Sequence, residues 1–236
     1  MTNLLYADHI VVDEEIVMRI PTVGEVIKSD GLYDQIISTF TATPRDLMVE
    51  LDDLGIDYNE IEEYDLFLLL FQSLKTIDTS LLFGDLDLSK YDLTSQNDEI
   101  VLLNQDTGNY IDKFKYMYLC DTTCKINYVK RNNKKAGNKA AKDYLIQKER
   151  KKKKRAKRKA KSSENPLNDL IISLVNTAEF KYDYKSVLDL TIYQFNSSLH
   201  QIINKVNFDK LMIGVYAGTV DTSKISPKSL NWIKQN

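Results

Sequence analysis

The chain predicts a mainly α-helical fold with a small antiparallel β element, arranged as an α+β N-terminal lobe and an all-α C-terminal lobe. Three observations lead there. Glycine and proline are scarce, 8 and 4 in 236 residues, so helix breakers are few and connections short. Apolar residues recur at three- and four-residue spacing over most of the length, the period of a helix with one buried face. Between Leu81 and Ile111 that period gives way to short apolar runs separated by turn residues, the pattern of a small sheet.

Taken in order, Ile10-Val11-Val12-Asp13 and Ile16-Val17-Met18-Arg19-Ile20 are β-branched runs parted by Glu14-Glu15, which fits a hairpin ended by Pro21. Thr22-Val23-Gly24-Glu25 has capping-box spacing: hydroxyl and carboxylate can each satisfy the other residue's free amide, so a helix starts near Val23. Leu32, Tyr33, Ile36, Ile37 and Phe40 give a second amphipathic helix. Thr43 is placed as N-cap, Pro44 as first helical residue and Asp46 in the first turn, with Gly55 as the stop. Tyr64 to Leu74 is apolar on nearly all sides and predicts a central helix.

Leu81-Leu82-Phe83, Leu86-Asp87-Leu88, Ile100-Val101-Leu102-Leu103 and Tyr110-Ile111 are the expected strands. Asp112 to Lys125 fits both periods and is read as helix. Ala136 to Lys161 predicts a helix whose first turns can pack and whose second half cannot bury anything. A helix follows after Pro166, carried by Leu167, Leu170, Ile171, Leu174 and Val175 and ending near Asn176-Thr177, then others over Tyr193 to Ile203 and Phe208 to Tyr216, the last closed by Gly218. A short one carries Leu230, Trp232 and Ile233 onto those before it.

The charge is divided unevenly. Lys130 to Lys161 holds 17 basic residues against two acids, a net of +15, which leaves −17 on the other 204 residues of a chain whose total is −2. Three regions follow: an acidic lobe over 1–129, a basic helical arm over 130–165 and a helical lobe over 166–236. Lys148, Arg150, Lys151, Lys152, Lys153, Lys154, Arg155, Lys157, Arg158, Lys159 and Lys161 are the candidate contact residues of the arm. A rod of such charge can follow a phosphate backbone without reading bases, because it lacks interleaved aromatics and base-reading amides. It can also meet the acidic body of its own chain or of a second copy. With no apolar face after Ile146, it does not suit a membrane surface.

No catalytic constellation accompanies these features, and no enzyme activity, cofactor or metal is expected. The carboxylates Glu50, Asp52, Asp53, Asp57, Glu60, Glu62, Glu63 and Asp65 crowd one region without a histidine or glycine-rich loop, so they read as a solvated acidic face rather than an acid–base pair. Cys120 and Cys124 share a helix face, but His9 and His200 lie far off in sequence, and two reduced thiols are expected instead of a zinc site. Phe195, Tyr216 and Trp232 are the aromatics that could form a partner groove, although Trp232 reads first as packing. The N-terminus meets Asp8, Asp13, Glu14 and Glu15 before any long apolar run, and Leu66 to Phe71 is too short to cross a bilayer, so no leader or membrane partner is expected.

Several stretches together carry a resemblance. They are Ile20-Pro21-Thr22-Val23-Gly24-Glu25-Val26-Ile27, Thr43-Pro44-Arg45-Asp46-Leu47-Met48-Val49 and Leu54-Gly55-Ile56-Asp57-Tyr58. To these add Gly137-Asn138-Lys139-Ala140-Ala141-Lys142, Leu174-Val175-Asn176, Phe180-Lys181-Tyr182, Gly214-Val215-Tyr216-Ala217-Gly218-Thr219-Val220-Asp221 and Leu230-Asn231-Trp232. The set resembles proteins from the tail modules of tailed phages and prophages of Gram-positive bacteria. The resemblance implies a tail or baseplate morphogenesis factor, such as a tail assembly chaperone, or a minor virion component. Tail or baseplate proteins would be its partners, and the host cytoplasm or the virion its location. It transfers no site residue.

Overall fold

The computed structural model describes residues 3–14, 16–96, 99–159 and 166–233. The architecture is mainly α with two small antiparallel sheets, as the periodicities require. The chain opens with the hairpin β1 (His9–Val11) and β2 (Val17–Arg19), in which Ile10 faces Met18. Asp13 holds the turn by accepting from the Ile16 amide at 2.8 Å, and Ile16 and Met18 are wholly buried. Helix α1 (Val23–Lys28) starts on the expected capping box, with Thr22 and Glu25 exchanging hydrogen bonds.

Helix α2 (Leu32–Phe40) follows. Residues 43–47 then form a tight turn in which Asp46 donates to the Thr43 carbonyl at 3.0 Å, so α3 (Met48–Asp53) begins four residues later than Pro44 suggests. The Thr43–Asp46 cap is present all the same: the Asp46 carboxylate accepts from the Thr43 amide at 3.0 Å and from its hydroxyl at 2.7 Å. Helix α4 (Glu63–Lys75) is central.

Leu81-Leu82-Phe83 is not a strand. It lies in a one-turn helix, α5 (Ser80–Phe83), started where Asp78 accepts from the Ser80 amide and ended by Gly84 at φ +57°. Leu86-Asp87-Leu88 is not a strand either, since Leu88–Lys90 turns as a 3₁₀ helix. A three-residue apolar run carries no period, and the local Asx contact decides its form. The first strand of the second sheet is instead β3 (Tyr91–Gln96), paired antiparallel with β4 (Glu99–Asn104), which pairs with β5 (Tyr110–Ile111).

Helix α6 (Lys113–Asn127) starts where the Asp112 carboxylate accepts from the Lys115 amide at 2.7 Å. Helix α7 (Lys139–Lys159) is the basic arm; Asn138 caps it by accepting from the Ala141 amide, so it begins three residues after Ala136. Helix α8 (Pro166–Val175) and a 3₁₀ turn at Ser186–Asp189 lead into α9 (Ile192–Tyr216). The two helices expected over Tyr193–Tyr216 are one, because Asn204-Lys205-Val206-Asn207 contains no breaker and the helix runs straight through it.

One core unites α1, α2, α4, α6 and both sheets, and Ile171, Leu174, Phe180, Val187, Leu190, Ile192 and Phe195 belong to it too. Its centre is aromatic. Phe40 meets Phe83, Phe67 and Tyr116 edge-on at 4.9, 5.3 and 5.5 Å between ring centres, and Phe67 stacks on Tyr116 at 4.2 Å. The segment before α9 is tied to the one before α1 by paired backbone bonds, Val23 to Leu190 and Ile192 to Pro21, each 2.8 Å. A second capping box, Thr191 with Gln194, starts α9 beside the first. Gly24 allows a close approach there, because a Cβ would lie 3.1 Å from the Leu188 carbonyl oxygen, tighter than most such contacts.

Candidate interaction surfaces

The arm is not a free rod. Lys142, Ile146, Arg150 and Lys153 recur at four-, four- and three-residue intervals and therefore share one face of α7. That face lies on α3 and the connector behind it. Ile146 is buried in a small second core with Met48, Val49, Leu51, Tyr58 and Leu66. Around it, Lys142 meets Asp57 at 2.7 Å, Arg150 meets Asp52 at 2.7 Å and Asp53 at 2.5 Å, and Lys153 meets Glu50 at 2.7 Å. The lead-in is laced down as well. Asn59 and Ala136 exchange a pair of hydrogen bonds at 3.0 and 3.2 Å, and Arg131 pairs with Glu63 at 2.6 Å.

The acidic cluster is solvated, as expected, and it also seats the arm. Glu50, Asp52, Asp53 and Asp57 receive the arm's cations, Glu62 pairs with Lys113 and Glu63 with Arg131, while Glu60 and Asp65 stay exposed. The sequence shows both charge runs and allows them to meet, and the fold shows which residues do. The hydrogen bond from Lys142 holds the Asp57 carboxyl below its ordinary value. Burial pushes the Glu50 carboxyl up, yet the bond from Lys153 and the local backbone outweigh it and leave the group below its ordinary value.

The opposite face of α7 is different. Lys148, Lys151, Lys152, Lys154 and Arg155 are exposed, and only Lys152 is paired among the described residues, with Glu149 on the same helix at 3.3 Å. Of the arm residues singled out in the sequence, Arg150 and Lys153 are thus engaged with their own chain. The helix continues through Lys157, Arg158 and Lys159, and Lys161 lies outside the described residues.

The aromatic groove does not form. Phe195 is fully buried, edge-on to Phe180 at 6.4 Å, whereas Tyr216 is 83% exposed at the far end of α9. The 21 positions between them span roughly 31 Å of helix axis. Trp232 sits part-buried beside the middle of α9, its carbonyl accepting from the Gln201 amide group at 3.0 Å. What the fold offers there is another surface. After Phe195 no described residue is buried, although this stretch holds Ile202, Ile203, Val206, Leu211, Met212, Ile213 and Val215. The chain reverses at Gly218 (φ +67°), and Thr219 and Val220 donate back to the Gly214 carbonyl. Residues 219–233 then cover only part of α9, leaving Ile203 and Ile213 48% and 68% exposed.

Cys120 and Cys124 are free thiols, the first buried with its sulfur 3.7 Å from the Phe40 carbonyl. Among the described residues no three His, Cys, Asp or Glu side chains are grouped to hold a metal ion, and no helix is long and apolar enough to cross a membrane.

Residues 153–236 match the family model described as the YomV second domain, a phage- and prophage-type family. The match covers well under half of the chain and begins within α7, so it spans the end of the arm and the whole of α9. No curated protein and no solved structure matches.

Proposed function

We propose that this protein is a non-enzymatic phage morphogenesis factor, a tail or baseplate assembly chaperone or minor virion component, that works through protein–protein contacts in the host cytoplasm or in the particle. One observation carries the reading. The segment after Phe195 orders a long helix rich in apolar residues without burying any described one of them. Ordering a chain costs about 1–2 kcal/mol of backbone entropy per residue, which burial ordinarily offsets. A helix left half covered is a surface built for a partner. The phage-type match falls on this same stretch, which supports a phage setting for that partner.

The test is affinity capture of the tagged chain from phage-producing cells, with mass spectrometry of the co-purified proteins and of gradient-purified virions. Tail or baseplate proteins are expected in fixed proportion to the chain. Ile213→Asp, at a position already 68% exposed, is expected to reduce that recovery at least fivefold while leaving the melting temperature within about 2 °C. Capture that contains no tail protein, or that Ile213→Asp leaves unchanged, would refute the reading.

A second reading has its own support in the exposed face of α7, where Lys148, Lys151, Lys154 and Arg155 meet no described acid. Such a face suits sequence-independent binding of nucleic acid. If five cations including Lys152 neutralise phosphates, the affinity for duplex DNA should fall with a log–log salt slope of about −4.5. The triple change Lys148→Gln, Lys151→Gln and Lys154→Gln should abolish the mobility shift, whereas Lys205→Gln on α9 should not. Lys153 is left intact in this design because it is bonded to Glu50. A shift that survives the triple change, or that ignores salt, disposes of this reading.

A further inference from the structure

A cleft of about 280 Å³ lies where the segment 133–135 passes between the start of α4 and the first turns of α6. Tyr58, Ile61, Tyr64 and Met117 line its apolar part, and Lys134 and Lys135 stand at its rim. Both lysines are exposed and form no ion pair among the described residues. The rim's acids are matched: Glu62 with Lys113 at 2.5 Å, and Glu63 with Arg131 at 2.6 Å. Arg45 braces the segment by donating to the Lys134 carbonyl at 2.5 Å. The Tyr58 side chain is buried, and its hydroxyl has no hydrogen-bond partner, a state buried donors seldom keep. Beside the cleft the outer face of α6 continues the apolar surface, with Phe114 78% and Tyr118 51% exposed, one turn before and one residue after Met117.

We infer that this cleft docks an acidic peptide segment of a partner protein, one bulky apolar side chain entering between Tyr64 and Met117 and flanking carboxylates meeting Lys134 and Lys135. The inference rests on the protein-contact function proposed above and adds the chemistry of one contact. Size allows it, since about 280 Å³ leaves room for one bulky apolar side chain. Charge supports it as well, since two unpaired lysines over an apolar floor select an anion with an apolar neighbour. A nucleic acid fits less well. Its backbone needs a track of cations to follow, and the rim offers two unpaired lysines. Exposed aromatics next to a pocket are the usual anchors of protein interfaces.

The experiment is selection of random displayed dodecapeptides on the immobilised full chain, followed by fluorescence-anisotropy titration of the most enriched peptide. Enriched sequences are expected to combine Asp or Glu with one Phe, Trp, Leu or Ile. Lys134→Glu with Lys135→Glu, and separately Met117→Asp, should each weaken binding at least tenfold, while Lys148→Glu with Lys151→Glu on the arm should change it less than twofold. Met117 is 47% exposed, so its change leaves the core intact, and an unaltered melting temperature confirms this. Absence of enrichment, neutral or basic enriched sequences, displacement of the peptide by a single-stranded oligonucleotide, or an equal loss in the arm variant would each overturn the inference. If tail proteins still co-purify with the Lys134→Glu, Lys135→Glu chain in full amount, this cleft is excluded while the wider function stands.

Discussion

Phe40→Ala is expected to destabilise the protein by about 3–5 kcal/mol, the range for removing a buried phenylalanine. For a chain of this length that corresponds to a fall in melting temperature of about 6–20 °C. Phe40 is 2% exposed and its ring touches three others, Phe67, Phe83 and Tyr116, which come from α4, α5 and α6. Truncation opens a void where three elements converge, and none can close it without moving a second contact. Phe114→Ala provides the comparison: the same chemical change at a site 78% exposed should shift the melting temperature by less than about 2 °C. Thermal unfolding followed by circular dichroism decides the matter, and a shift below 3 °C for Phe40→Ala would mean that the aromatic cluster is not the centre of the core.

That cluster is partly legible in the sequence. The spacing of Tyr33, Ile36, Ile37 and Phe40 fixes a buried face for α2, and the all-round apolar run of α4 marks it as central. Capping boxes were legible for a different reason: the reciprocal bonds of Thr22 with Glu25 depend on spacing alone. The fold class follows from such local signals. What failed locally was Leu81–Phe83, where three apolar residues fit a strand and a helical turn equally until Asp78 and Gly84 settle the backbone. What failed at long range was Phe195, read as a groove aromatic although its ring closes the core beside Phe180. Periodicity places a residue on a face and says nothing of what covers that face. The cleft has the same character, since its walls come from residues 44–64, 113–117 and 133–135, which no sequence window contains together.

The arm shows how magnitudes separate the two kinds of signal. Opposite charges of +15 and −17 announce an attraction, but the ion pairs between α7 and α3 are between about a third and three fifths exposed on most side chains. Pairs of that kind contribute little each and weaken with salt. Ile146, 5% exposed, is worth about 1.5–3 kcal/mol by burial, so it is the residue that seats the helix and the charges set its register. Ile146→Asp is accordingly expected to free α7: hydrogen exchange of the 142–156 amides should accelerate at least tenfold, while amides of α4 and α6 keep their protection. Ile146→Val should leave both unchanged within about threefold. Reversing Arg150 and Lys153 to Glu should accelerate exchange by a smaller factor, and high salt should reproduce part of that factor in the parent chain.

The pH response has a definite sign. Asp57 and Glu50 have folded values below their ordinary 3.8 and 4.5, so their contribution is complete above about pH 4.5 and is lost as the pH falls through the folded values. Arm amides should therefore begin to lose protection below about pH 4 in the parent chain. Exchange in Ile146→Asp, already unseated, should respond only through its intrinsic chemistry. Should the arm of Ile146→Asp exchange as slowly as in the parent, the charges and not the small core would be holding it. The exposed cations of α7 would then be positioned electrostatically, and any partner of that face would compete with the body for the whole helix rather than bind the half already turned outward.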